Sequence, residues 1–432
     1  MRRAAIKLSC LLPALAMSAA AATEVEHVEG RLGDGAPYAI DRPADWNGTV
    51  LLWSHGYSPR PAGGGPATAP PDMRDLLLAR GYALAASDYA HPGWALDVAP
   101  DDQIGTLAAF ADKFGTPKRV IAWGASMGGL VTVALAERSG TPIDGALPVC
   151  GSVGGAVGMM NMALDGAFAF TTLAAPDAGL RLLDTRDDAE NAARAAAAVS
   201  AVQATPAGRA RLALAGALAG LPGWTDPAAR QPGPTDFAMQ EAEIAKSFVM
   251  GVFLPRAGME RQAGGVFSWN DGVDYARQLD LSGRRPFVAA LYAAAGLDLQ
   301  ADLDTLAKAP RLAAVPAAVA YMKRNFTPDG DLRIPMVSLH TVGDGLTSPT
   351  LERGYGDLAA AAGKAGLLRQ LYAARAGHCT FSAGDYAAAL QLLEKRLAEG
   401  EWSPSPPDFI DYHPTPFLRP CGGHAACASE PR

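Results

Sequence analysis

The sequence predicts an α/β protein in which a doubly wound, mostly parallel sheet is interrupted by one large helical insertion. Three observations predict it. Buried-strand runs alternate with amphipathic helical segments at both ends of the chain. The stretch 152–331 keeps helical periodicity and has few strand-like runs. The chain's 432 residues, 49% of them hydrophobic, are enough to bury a large core in one or two domains.

Taken in order, 26–56 alternates apolar and polar residues, then becomes wholly apolar at Thr49-Val50-Leu51-Leu52-Trp53. That pattern predicts two half-exposed strands followed by a buried one. The stretch 58–71, with three consecutive glycines and five prolines, reads as a surface loop. A helix is expected over 72–80 and a strand over 82–87. A helix over 100–114 follows, with Asp101 and Asp102 suited to its positive end. Next come a strand at 118–123, a helix at 128–139 and a strand at 145–149. Inside 152–331, helices are expected at 189–202, 208–218, 237–252 and 288–294, since alanine-rich segments favour them. Leu221-Pro222-Gly223 and Gln231-Pro232-Gly233-Pro234 break this run. Alternation resumes with a strand at 334–341, a helix at 350–362, a strand at 367–374 and a helix at 383–399. Residues 23–151 and 332–400 should therefore build one sheet domain, split by the insertion 152–331. The segment 401–432, rich in proline and aromatics, should wrap the surface irregularly.

The formal charge of −7, with lysines and arginines scattered, offers no concentrated basic face and excludes a nucleic-acid binder. Residues 1–22 have the three parts of a secretory signal peptide: Arg2, Arg3 and Lys7, an apolar run at 8–16, and Ala20-Ala21-Ala22 as the small-residue cleavage site. The competing reading is an ordinary N-terminal helix. The run is too short to span a bilayer, and Cys10 precedes most of it, which argues against a lipid-anchored cysteine. Cleavage would take the formal charge from −7 to −10, because three positive charges leave with the peptide. No later apolar stretch is long enough for a membrane helix, so the mature chain is expected to be soluble and secreted or periplasmic.

Cys150, Cys379, Cys421 and Cys427 would remain, an even number that suggests two disulfides with three possible connectivities. Cys421 with Cys427 is favoured because the Gly-Gly-His-Ala-Ala between them closes a short loop, which leaves Cys150 with Cys379. A metal site at Cys421, His424 and Cys427 is the rival; three ligands in a tail make a poor zinc cage.

Gly124-Ala125-Ser126-Met127-Gly128 fits G-x-S-x-G directly after an expected buried strand and before an expected helix. This is the context of a nucleophile elbow: the turn is too tight for flanking side chains, and the helix points its positive end at a developing oxyanion. The serine needs a base and the base an orienting partner. His378, in Gly377-His378-Cys379, follows the last expected strand at the same sheet edge. His27, His91, His340, His413 and His424 are less suited. Asp344, in Gly343-Asp344-Gly345, follows the preceding strand and gives the chain order Ser, Asp, His; a turn aspartate is the bland alternative. Asp329 and Asp331 are distant alternates. The Met127 amide supplies one oxyanion donor. The Tyr57 amide, after Ser54-His55-Gly56, supplies the other, with Gly56 permitting close approach and His55 packing beneath.

These motifs resemble the α/β-hydrolase superfamily in its secreted serine esterase and peptidase branch. His55-Gly56, the Ser126 elbow, Gly343-Asp344 and Gly377-His378 match its turn, elbow, acid and histidine in order, across 26–400 apart from the insertion. The resemblance implies that the insertion forms a lid that sets substrate choice. The cysteine after the histidine is similar to tannase and feruloyl-esterase-like enzymes, but Ala125 stands where those have the cysteine that pairs with it. Cys150 is then the partner expected for Cys379.

The expected activity is cleavage of a carboxylic ester, small or polymeric, through an acyl-enzyme, with no cofactor or metal implied. Met159, Met160, Met162, Phe168 and Phe170, at the start of the insertion, suit an acyl or aromatic group; lid core is the bland alternative. A serine aminopeptidase would need acidic groups to hold an amine, for which Asp165, Asp177 or Asp187-Asp188-Glu190 could serve. A catalytically dead binding module is the remaining alternative.

Overall fold

In the computed structural model, which describes residues 24–59, 65–424 and 427, the chain opens with strands β1 (Val25–Arg31) and β2 (Pro37–Pro43), paired antiparallel. The expected signal peptide at 1–22, with Cys10, lies outside the described residues, as do 60–64 of the proline-glycine loop. Strand β3 (Thr49–Ser54) is fully buried and leads through helix α1 (Pro71–Leu78) to β4 (Ala83–Ser87). Helix α2 (Ala99–Phe114), β5 (Arg119–Ala125), α3 (Met127–Glu137) and β6 (Gly145–Val149) follow. After the insertion come β7 (Met336–Gly343), α13 (Thr350–Ala361), β8 (Leu368–Ala376) and α14 (Ala383–Glu399).

The eight strands form one sheet in the order β1-β2-β4-β3-β5-β6-β7-β8, parallel from β4 onward. The fold is that of the α/β-hydrolases. Because the strands have a side-chain period of two, Val50, Leu52, Val120 and Ala122 pack in one core with α2 and α3. Their neighbours Leu51, Trp53, Ile121 and Trp123 pack in another with α1 and α14. The chain leaves β3 for one side, β4, and returns on the other, β5. The carboxyl ends of β3 and β5 therefore flank a topological switch point, where doubly wound sheets bind ligands.

Nine helices fill the interval between β6 and β7: α4 (Ala156–Leu173), α5 (Asp188–Val202), α6 (Pro206–Leu218), α7 (Phe237–Val252), α8 (Ala257–Ala263), α9 (Tyr275–Leu281), α10 (Arg285–Ala294), α11 (Leu299–Lys308) and α12 (Pro316–Phe326). Most of them share a core of their own, where Phe170 packs on Phe248 with ring centroids 4.9 Å apart. No helix among the described residues is long and apolar enough to cross a membrane.

The tail corrects one expectation. It is irregular, but Phe417, Leu418, Arg419 and Cys421 are buried and do not lie on the surface. Glycines make the room: a Cβ on Gly158 would lie 2.6 Å from the Phe417 ring and 2.6 Å from the Arg419 carbonyl. Arg419 then reaches the middle of α4, where its Nη1 donates to both Asp165 oxygens at 2.9 and 2.8 Å and its Nη2 to the Trp269 carbonyl at 2.8 Å. Burial pushes the Asp165 carboxyl up, against the pull of Arg419. Removing the arginine strands that carboxylate without a counter-charge. Arg419→Ala is expected to cost about 3–5 kcal/mol in urea unfolding, and a loss below about 1 kcal/mol would show that the pair contributes little.

Candidate active site

Ser126 joins β5 to α3 with φ 58° and ψ −120°, a conformation L residues rarely adopt. Three backbone bonds hold it there: Ser126 N to Val149 O (3.0 Å), Gly129 N to Ser126 O (3.0 Å) and Ser152 N to Ser126 O (3.2 Å). The flanking glycines are dictated by space. A Cβ on Gly124 would sit 2.7 Å from the Ser54 carbonyl oxygen, and one on Gly128 would strike that same oxygen. Across the turn, a Cβ on Gly56 would lie 3.3 Å from Ser126 Cβ. The ends of β3 and β5 are thus in contact at the switch point.

Asp344, just past β7, is fully buried. Its Oδ1 accepts from the Leu346 amide (2.8 Å) and the Thr347 amide (3.0 Å). Its Oδ2 pairs with His378 Nδ1 at 2.7 Å. The carboxylate fixes the tautomer by accepting a hydrogen bond from Nδ1–H, which leaves Nε2 as the basic nitrogen. Thr347, which sequence reasoning missed, completes the cluster. Its hydroxyl lies 2.9 Å from Cys150 O, 2.9 Å from Asp344 Oδ2 and 3.2 Å from His378 Nδ1. Its one proton serves one of the two oxygens at a time. Only its spacing, three residues after the aspartate, hinted at it.

Disulfides join Cys150 to Cys379 and Cys421 to Cys427. The first ties the end of β6, beside the elbow, to the residue after His378. Its sulfur on Cys379 lies 3.5 Å from His378 Nε2. Among the described residues, no hydrogen bond joins Ser126 Oγ to His378. The structure thus joins Asp344 to His378, and the hydrogen bond between His378 and Ser126 is not made. Sulfurs in disulfides are not free ligands, so neither Cys150–His378–Cys379 nor Cys421–His424–Cys427 offers a thiolate to a metal. His340 is a buried support behind the acid. Its Nε2 lies 2.6 Å from Thr347 O and 3.7 Å from Asp344 Oδ2, and its Nδ1 lies 3.3 Å from Glu352. Burial opposes its protonation, but Glu352, Asp344 and the Thr347 carbonyl raise its pKa above the ordinary value.

The amides of Tyr57 and Met127 have no protein acceptor among the described residues, as an oxyanion site requires. The turn carrying Tyr57 is braced from below. Gln103 Nε2 donates to Trp53 O (2.7 Å) and Ser54 Oγ (2.9 Å). Tyr89, at φ 58°, stacks on His55 with centroids 4.2 Å apart, and its hydroxyl donates to His55 O at 3.1 Å. Asp102 accepts the Ala90 amide at 2.9 Å, which anchors that strained segment.

Asp102 is buried, and its carboxyl is pushed up to about 7, first by burial and then by a shared hydrogen bond with Asp34. Between about pH 4 and 7 the folded state holds a proton that the unfolded chain releases, so this group makes stability fall as pH rises. Asp102→Asn removes that slope. The variant should match the parent near pH 4 and exceed it by about 3–4 kcal/mol near pH 8 in denaturant titrations. Equal stability at both pH values would contradict the shared proton.

A cleft of about 560 Å³ opens at Ser126, lined by Tyr57, Trp94, Met159, Met160, Met250, Phe253, Leu254 and Met259, with Leu346 and Thr347 on one side. Three of the apolar residues expected at the substrate are corrected, the first being Met162, which packs in the core and does not line the cleft. Phe168 and Phe170 do not line it; they sit two to three turns further along α4 in the insertion core, with Phe168 stacked on Tyr275 at 5.6 Å. Of the acidic groups considered for an amine, Asp165 is taken by Arg419, Asp177 is exposed, and Asp187 caps α5 at the Glu190 amide (2.9 Å). Asp188 does line the cleft, its carboxylate held by the Arg256 and Ala257 amides at 3.1 and 3.2 Å.

No protein-family model matches the chain. It is similar to the o-phthalyl amidase of Xanthobacter agilis, with 30% identity over 416 residues that cover 88% of this chain and 89% of the relative. Solved structures similar to it include an acylaminoacyl peptidase of Pyrococcus horikoshii, with a TM-score of 0.39 and 10% identity over 91% of this chain, which spans only 43% of the peptidase. An esterase of Pyrococcus furiosus shows a TM-score of 0.38 and 11% identity, covering 87% of this chain and 90% of the esterase.

Proposed function

The chain belongs to the family of the Xanthobacter agilis o-phthalyl amidase, and from that premise we propose that it is a serine hydrolase that cleaves amides and esters of apolar, aromatic acyl groups by acyl transfer at Ser126. The observation that carries the reading is the strained Ser126 elbow opening into an apolar cleft, at the sheet edge that also bears the buried Asp344–His378 pair. His378 Nε2 takes the Ser126 proton, and Oγ attacks the acyl carbonyl. The Met127 and Tyr57 amides donate to the resulting oxyanion, while Asp344 offsets the charge on the imidazolium. Collapse expels the amine or alcohol, which takes the proton from His378, and water then releases the acid by the same route. The proton transfer requires Nε2 to close on Oγ, a contact that is often loose before substrate is bound.

Amides come first because of the relative's name. Esters, which the apolar residues suggested from the sequence, pass through the same acyl-enzyme. Asp188 at the cleft wall supports a second reading, an aminoacyl substrate whose amine faces that carboxylate. Export is part of the proposal, since two disulfides suit an oxidising compartment. The test is a panel on purified protein: N-phthalyl and N-benzoyl anilides, the matching p-nitrophenyl esters and aminoacyl anilides. Preference for the aryl acyl compounds is expected. Turnover confined to aminoacyl anilides would favour the peptidase reading, and failure of Ser126 to be labelled by a fluorophosphonate would remove the serine mechanism.

A further inference from the structure

On the far side of the loop that carries Asp344 and Thr347 lies a second cavity, of about 590 Å³. Leu346 and Thr347 line the catalytic cleft, while Ser348, Pro349 and Thr350 line this one. Its other walls come from the two proline-glycine breaks of the insertion, with Trp224, and from the tail at Tyr412. The lining holds one charged side chain, Arg284, and no carboxylate.

Arg284 is unusual for an arginine. It sits at the start of α10 with its guanidinium 4.3 Å from the Phe287 ring centroid, and its Nε and Nη2 are shut off from solvent without an acceptor. The Thr350 hydroxyl, in the same lining, is also buried and unpaired. Burial pulls the guanidinium down to about 10, only partly opposed by Tyr412. The buried arginines Arg419 and Arg256 each have a counter-charge, Asp165 for the first and Glu260 at 3.2 Å for the second, whereas the half-buried Arg284 has no carboxylate partner among the described residues. A desolvated cation with unused donors is costly unless an anion completes it. The proline, tryptophan and tyrosine walls suit a flat apolar body.

We propose that this cavity is a binding site for an aromatic monocarboxylate, with the carboxylate on Arg284 and the ring between Trp224 and Tyr412. A single uncompensated positive charge in an acid-free lining selects a monoanion over a dianion or a neutral amide. The site is separate from the one proposed for catalysis, and it stands whether or not Ser126 is the nucleophile.

The test is a titration of the full-length mature protein with 4-fluorobenzoate, followed by fluorine NMR, with neutral 4-fluorobenzamide as the control. Saturable binding of the acid but not the amide is expected, unchanged in Ser126→Ala. Arg284→Met should weaken it on the order of tenfold or more while leaving p-nitrophenyl ester turnover as in the parent. Arg284→Lys should restore part of the affinity, and Thr350→Val gives an independent reduction should the methionine variant fold poorly. Equal affinity in parent and folded Arg284→Met, binding that disappears only when Ser126 is phosphonylated, or no saturable binding in the parent would each overturn the assignment.

Discussion

Ser126→Ala is expected to lower kcat about 10⁴- to 10⁶-fold on any acyl substrate, with KM changed little. His378→Ala should do much the same, and the double variant should be scarcely worse than either single one, because nucleophile and base act as one unit. Asp344→Asn should cost about 10³- to 10⁴-fold, since an amide that donates to Nδ1 imposes the wrong tautomer. These losses reach about 6–8 kcal/mol in barrier, which no packing defect at one side chain supplies without unfolding the chain. Steady-state kinetics with a p-nitrophenyl ester, alongside fluorophosphonate labelling, measures them. A Ser126→Ala protein that keeps even a tenth of parental turnover would place the nucleophile elsewhere.

What could be read in advance was what local chemistry dictates. The Ser126 elbow was legible because Gly124 and Gly128 are required by contacts with Ser54, a constraint written into five consecutive residues. The strands were legible because β3, β6 and β7 are buried along their whole length. Asp344 and His378 could be paired because chain order and strand ends restrict the choice. Thr347 could not, since its meaning depends on Cys150, nearly two hundred residues away in sequence, coming within 2.9 Å. Helix α4 was also hidden. Gly158 and Gly166 lower its propensity, yet they are there to admit the tail and Ala219, whose Cβ would lie 2.7 Å from a Cβ on Gly166. Phe168 and Phe170 read as cleft residues because periodicity gives a spacing but not a direction; α4 presents Met159 and Met160 to the cleft and buries the phenylalanines in the insertion. The burial of the tail is hidden for a related reason: composition marks it as irregular, and only the glycines it packs on show that it is buried.

Loss of the Cys150–Cys379 disulfide should have the largest effect on stability and a separate effect on turnover. The bond closes 229 residues of chain, the entire insertion included. Loop-closure entropy and experience with native disulfides together put the cost of removing it at about 3–5 kcal/mol. The catalytic effect has a different origin. Cys150 (φ 43°) and Cys379 (φ 56°) both hold left-handed backbone, a conformation unfavourable for residues with a Cβ, and the bond between them helps to keep them there. One of these residues follows β6 beside the elbow, and the other follows His378. Cutting the link releases the loop that carries the imidazole, while the cleft at Ser126 keeps its walls. The Cys150→Ala/Cys379→Ala protein should therefore lose kcat by about tenfold to a hundredfold with KM within a few-fold, a pattern expected when a base is misplaced by about an ångström. Its unfolding midpoint should fall in parallel. Removing the Cys421–Cys427 bond, which spans only 6 residues, should leave kcat near the parental value. A double variant that unfolds more easily yet turns over at the parental rate would reduce Cys150–Cys379 to a staple and leave Asp344, through its bond to Nδ1, as the group that aims His378.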